Sequence, residues 1–119
     1  MSDEFMKVAT LEINDELSGI SMILDLCQND ADVSKNSDKI EKHMHKIKGL
    51  APMMGKENIG SLAKTLDSIL KKVASGQKAD GFFEALSISI EQMKITMDKP
   101  NDLGEVQKQI SDIASKIVD

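Results

Sequence analysis

An all-α fold, an antiparallel up-down four-helix bundle with a fifth helix at its C-terminal end, is what this sequence predicts, and three observations predict it. Apolar residues recur every three or four positions along nearly the whole chain, the period that lines them up on one stripe of an α-helix. Aromatic residues, which favour strands, are scarce: they make up 3% of 119 residues, with no Trp or Tyr, while Met reaches 8. Short turn signals separate the stripes, and short connections between amphipathic helices favour antiparallel neighbours.

The elements follow in order. A first helix over about 3–27 carries Phe5, Val8, Ile13, Leu17, Ile20, Leu24 and Cys27 on or near one face, and the Asn-, Asp- and Ser-rich segment 29–38 ends it. A second, over 37–54, places Ile40, Met44, Ile47, Ala51 and Met54 in a stripe, with Gly55 suited to a left-handed cap. The third, over 56–74, presents Ile59, Leu62, Ala63, Leu66, Ile69, Leu70 and Val73 and stops at Ser75-Gly76. The fourth, over 81–98, follows Asp80 as N-cap and buries Phe83, Leu86, Ile90, Met93 and Met97 before Pro100 forbids continuation. The fifth, over 103–118, opens with Asp102 three residues before Glu105, a variant of the capping box, and runs through Leu103, Val106, Ile110, Ile113 and Ile117.

Composition bounds the function. A chain this long, 40% hydrophobic and 29% charged, has material for one globular domain spanning 1–119. The net charge of −5 and a pI near 5.0 disfavour a nucleic-acid partner, which needs clustered Lys and Arg. Cys27 stands alone, so neither an internal disulfide nor a structural zinc site is expected; on the apolar stripe it reads as a buried structural thiol. No apolar run approaches the roughly 18 residues that span a bilayer, and Asp3 and Glu4 replace the basic start of a signal peptide. A cytoplasmic, monomeric protein without membrane contact is expected.

Most catalytic constellations are absent. There is no phosphate-cradling Gly-rich loop, no nucleophile elbow and no pair of histidines at metal spacing. His43 and His45 point about 200° apart on one helix and cannot chelate one metal from it. With Ile40 at zero on the helical wheel, Met44, Ile47, Ala51 and Met54 fall within about 40° and mark the core. Lys48 then lies at about 80°, Pro52 about 120°, His45 about 140° and Gly49 about 180°, on the side turned to water, while His43 at about 300° borders the core. One exposed imidazole thus has an ammonium at i+3 and a residue without a side chain at i+4. Lys48 is placed to stabilise a negatively charged group on that ring. Gly49 costs about 1 kcal/mol of helix propensity relative to Ala, which a closely approaching partner would explain. The same wheel also describes an ordinary solvated face.

The run His45-Lys46-Ile47-Lys48-Gly49-Leu50-Ala51-Pro52-Met53-Met54-Gly55 resembles the signature of histidine-containing phosphotransfer (HPt) domains, H-x-hydrophobic-K-G followed by a small residue, a hydrophobic residue and Gly. The likeness extends through Leu66 to Leu70 and the Ser75-Gly76 turn, and the five-helix pattern covers the chain. Within the family the chain is most similar to the N-terminal phosphotransfer domain of the chemotaxis histidine kinase CheA, which adds a helix after the bundle. The resemblance implies that His45 accepts a phosphoryl group from an ATP-bound histidine kinase domain and passes it to an aspartate of a response-regulator receiver domain. It implies a phosphate-stabilising role for Lys48 and close approach of the partner at Gly49. In the chemotaxis subtype a Glu orients the imidazole through its other nitrogen. Asp67, one methylene shorter, stands at that position, and Lys64 stands where a second His is usual, a possible phosphate contact.

The family reading makes the chain a phosphoryl carrier and not an enzyme in itself. These residues hold no ATP-binding region; Mg²⁺ and ATP belong to the partner kinase, Mg²⁺ again to the receiver, and no metal or other cofactor is expected here. Two alternatives stay open: Lys64, Asp67 and Lys71 also read as a solvated, salt-bridged face, and a catalytically silent bundle of this type would serve as a receiver-binding or scaffold protein.

Overall fold

Why each stripe becomes a helix, and where it stops, is visible in a computed structural model that describes residues 2–117. Helix α1 spans Asp3–Leu24; the Ser2 side chain caps it by accepting from the Phe5 amide, and Asp3 and Glu4 complement the positive end of its dipole. Its buried face is Ala9, Ile13, Leu17, Ile20 and Leu24. Val8, expected in that stripe, is 59% exposed, because it stands about 140° around the helix from Ile13. The helix also ends before the expected residue 27; Cys27 lies past it, buried, its thiol donating to the Ile23 carbonyl at 3.4 Å.

The segment 29–38, expected as a simple break, contains a further helix, α2, over Asp30–Lys35. Asn29 caps it through the Asp32 amide, and Val33 anchors it in the core. Six residues are too few to show a hydrophobic period, so composition alone pointed to a loop.

Helix α3 (Ser37–Met53) and helix α4 (Glu57–Ala74) are joined by residues 54–56. Gly55, at φ 76°, turns the chain while the Lys56 amide bonds back to the Ala51 carbonyl at 2.9 Å, which satisfies the helix end. Helix α5 covers Phe82–Asp98. Its cap is not Asp80: Asp30 of α2 reaches across and accepts from the Gly81 amide at 2.9 Å and the Phe83 amide at 2.7 Å. Phe82, 1% exposed, fills the core place expected of Phe83, which is only partly buried, as is Met97. Helix α6 runs over Gly104–Lys116. Asp102 bonds the Gly104 amide at 2.8 Å, one residue short of the capping-box register, so the expected box with Glu105 does not form. The expected end of this helix at Val118 lies outside the described residues.

Helices α1, α3, α4 and α5 form the bundle; α6 packs on α4 and α5, and α2 closes one end against α3, α4 and α5. The expected fold class holds, with α2 added. The α3 and α4 axes run antiparallel: Pro52 meets Gly60 near the connecting turn, and His45 meets Asp67 farther from it. The pair is tight because Gly60 has no side chain; a Cβ there would stand 2.8 Å from the Pro52 ring. Proline in the last turn removes one amide donor, and its ring is accommodated by the glycine facing it. Between the helices lie Ile13, Leu17, Met44, Ile47, Leu62 and Leu66, all at most 1% exposed. Among the described residues, no helix is long and apolar enough to cross a membrane.

Candidate functional site

Helix periodicity places the site. The stripe Ile40, Met44, Ile47 and Ala51 fixes the inward face of α3, so His45, one residue past Met44, turns outward. Its side chain is 59% exposed. Opposite, Asp67 sits between Leu66 and Leu70 on the buried face of α4 and is itself 1% exposed. A buried carboxylate requires partners. Lys48 Nζ donates to Asp67 Oδ2 at 2.8 Å, and Lys71 Nζ stands 3.0 Å from the same oxygen, while Asp67 Oδ1 is buried without a hydrogen-bond partner. His45 Nδ1 lies 3.5 Å from Asp67 Oδ2.

A fourth group completes this cluster. Glu41, one turn before His45 on α3, places Oε2 at 3.7 Å from His45 Nδ1 and 4.0 Å from Lys71 Nζ. Burial works to raise the Asp67 carboxyl, but hydrogen bonding with Glu41 and the two lysines outweighs it and holds the group well below the usual carboxylate range. Glu41 moves the other way, pushed up by its hydrogen bond with Asp67, then by burial and by the Asp67 charge. Lys71 is raised by the hydrogen bond and charge of Asp67.

The residues singled out in the sequence are brought together with one exception. His45, Lys48 and Asp67 meet, and Lys71 is the lysine of α4 that pairs with Asp67. Lys64 is exposed, with no ion pair among the described residues, because at i−3 it leaves the carboxylate to Lys71 at i+4. Gly49 is exposed, and a Cβ added there would meet nothing within 4 Å. The chain's own packing therefore gives no reason for a glycine at this position.

Two carboxylates went unnoticed in the sequence. Glu41 carries an available signal, the i−4 spacing to His45, which sets both side chains on one face. Glu16 is the other, an acid within the apolar stripe of α1, 6% exposed. It bonds His43 Nδ1 at 2.7 Å and stands 3.7 Å from Lys46 Nζ. Burial pushes Glu16 up, and hydrogen bonds from His43 and Glu12 bring it below its ordinary value. The His43 ring lies against Gly19, where a Cβ would come within 2.6 Å of it. His43 is thus a seam residue between α1 and α3, as its wheel position at the core border led one to expect.

Glu41, His45 and Asp67 place one ligand atom each within 4.8 Å of one another, a spacing that a cation can use. The two ammonium groups on Asp67 already neutralise that carboxylate, so a metal would have to displace both. The arrangement suits an anion on His45 better: a largely exposed imidazole with the Lys48 ammonium one turn along α3. A family model described as Hpt domain matches residues 8–96, from within α1 to within α5. Comparison with curated proteins and with solved structures gave no match.

Proposed function

The chain belongs to the Hpt domain family, whose role is histidine phosphotransfer in two-component signalling, and we propose that His45 is its phosphoacceptor. In this reading His45 Nε2 attacks the γ-phosphorus of ATP held by a histidine kinase domain; the N–P bond forms as the bond to the β-phosphate oxygen breaks and ADP leaves. The phosphoryl group then passes to a receiver aspartate, the N–P electron pair returning to Nε2. Lys48 swings from Asp67 toward the phosphoryl oxygens, with Lys71 left to hold the carboxylate. Asp67 keeps Nδ1 facing inward, and Gly49 lets the partner backbone come close. Lys64 stays available at the rim for a phosphate contact.

The observation that supports this most is the division of the imidazole: Nδ1 faces carboxylates 3.5 and 3.7 Å away, and the side chain is 59% exposed. The finer assignment is a chemotaxis-type phosphotransfer module working in the cytoplasm, where ATP and receiver domains are found, with α6 as the helix added beyond the bundle. Mg²⁺ and ATP enter with the kinase, Mg²⁺ with the receiver. The test is transfer: phosphorylated chain mixed with a chemotaxis receiver and Mg²⁺ should lose its label to the receiver within the mixing experiment. Label that stays on the chain with every receiver tried would reject the carrier role.

A second reading, a silent bundle that binds receivers, is favoured by one observation: both ammonium groups are engaged by Asp67. It requires receiver binding that His45→Gln leaves unchanged while no phosphoryl group is ever taken up.

A further inference from the structure

We infer that Glu41 is a positioning residue for His45, forming with Asp67 a two-sided carboxylate seat for the Nδ1 proton; the inference rests on the phosphoacceptor reading of His45. Three observations lead to it. First, the acceptor capacity of Asp67 Oδ2 is largely taken. That oxygen receives the Lys48 proton at 2.8 Å and lies 3.0 Å from the Lys71 ammonium, and one oxygen offers two lone pairs. The His45 Nδ1 at 3.5 Å is a third claimant.

Second, Glu41 Oε2 has room where Asp67 Oδ2 has little. Its Oε2 stands 3.7 Å from Nδ1, and its nearest cation, Lys71, is 4.0 Å away. Glu41 and His45 share a helix at i and i+4, so a modest rotation about the side-chain torsions of either residue closes the gap. Third, Glu41 and Asp67 face the same nitrogen, and the three groups lie within 4.8 Å of one another. Asp67 raises the Glu41 carboxyl, first through its hydrogen bond and then through its charge. An imidazole N–H at this place offers both carboxylates a donor.

The consequence is tautomeric. A neutral imidazole with its proton on Nδ1 has its lone pair on Nε2, which is the nucleophile. Once Nε2 carries the phosphoryl group, the same Nδ1–H keeps the ring cationic and hence a good leaving group for the receiver aspartate. Glu41 supports both steps without touching phosphorus.

Nitrogen NMR of the histidine-labelled full chain tests this without a kinase. In wild type, neutral His45 should carry its proton on Nδ1. Glu41→Ala should lower the ratio of Nδ1–H to Nε2–H by about five-fold, the equilibrium equivalent of one net hydrogen bond. Glu41→Gln, whose amide oxygen still accepts, should restore part of it. His43, seated on Glu16, serves as the internal reference and should not move. In parallel, phosphoramidate is supplied as a small phosphoryl donor: wild type should give the Nε2 isomer, and Glu41→Ala a mixture of isomers. An unchanged tautomer ratio in Glu41→Ala, with a changed one in Asp67→Asn, would overturn the role of Glu41. Wild type that takes no phosphoryl group from phosphoramidate or from any kinase core would overturn the phosphoacceptor reading instead, a failure visible separately from the tautomer result.

Discussion

His43 and Glu16 meet at 2.7 Å across the seam between α1 and α3, whereas His45 and Asp67 stand 3.5 Å apart across the seam between α3 and α4. Two histidines two residues apart therefore do different work. The first is committed to packing, its ring on Gly19 and its nitrogen on a buried acid. The second keeps most of its surface in water. Removing Glu16 is expected to cost stability and not phosphorylation. Glu16→Ala leaves His43 without its partner and should lower the unfolding free energy by about 1 to 3 kcal/mol, measured by urea denaturation, with label uptake by His45 unchanged.

Acid should weaken the fold through the same carboxylates. Glu16 and Asp67 are both held below their ordinary values, so the unfolded chain binds their protons first as the pH falls. Their contribution is complete above roughly pH 4.5 and is lost as the pH drops through the folded-state values. Glu12 and Glu41, both raised, have the opposite sign: their contribution is present in acid and is lost as the pH rises through their folded-state values. Because Asp67 is shifted the furthest of the four, the melting temperature should fall between about pH 5 and pH 2. Thermal scans of Glu16→Gln and Asp67→Asn should show a flatter fall than wild type.

Gly49→Ala separates folding from partner approach. A Cβ at this position meets nothing within 4 Å, so the substitution should stabilise α3 by about 1 kcal/mol through helix propensity. Thermal melting should register the gain. Phosphoryl transfer to a receiver should slow, because the added methyl group stands beside the nucleophile.

Gly60→Ala is the contrasting case. Its Cβ would lie 2.8 Å from Pro52 Cγ and 3.0 Å from Cδ, with the ring fixed in its helix. The helices must separate, and a loss of about 1 to 3 kcal/mol is expected on denaturation. The double substitution with Pro52→Ala should recover much of it, since the colliding ring is gone.

Lys48→Ala touches both stability and chemistry. The side chain is 31% exposed, yet its ammonium serves a carboxylate that is almost wholly buried. Stability should fall by about 1 kcal/mol or somewhat more, and the phosphohistidine should hydrolyse or transfer at an altered rate. Unchanged phosphohistidine lifetime and uptake would remove Lys48 from the site.

How much of this was written in the sequence depends on range. The stripes of α3 and α4 were fully legible: every apolar residue assigned to them is buried, because a long helix repeats its period many times. Wheel angles alone turned His45, Lys48, Gly49 and Pro52 outward. Helix α2 was too short to show a period, and the true cap of α5, Asp30, comes from 51 residues away. Capping by a distant side chain leaves no local pattern. Phe82 and Phe83 are adjacent, and a shift of one residue decides which is inside. At the site, Asp67 and Lys48 followed from the resemblance and spacing, and Lys71 prevailed over Lys64 by direction along the helix. Glu41 was readable as i−4 from His45, but only the structure shows that both acids face the same nitrogen.

The most direct measurement is a map of acid-labile phosphate after incubation with Mg-ATP and a chemotaxis-type kinase core, in wild type, His45→Gln and His43→Gln. The account predicts label on wild type and His43→Gln and none on His45→Gln, with all three chains folded. Label that survives in His45→Gln, or a wild type left unlabelled while a known phosphotransfer domain is labelled in the same tube, would contradict it.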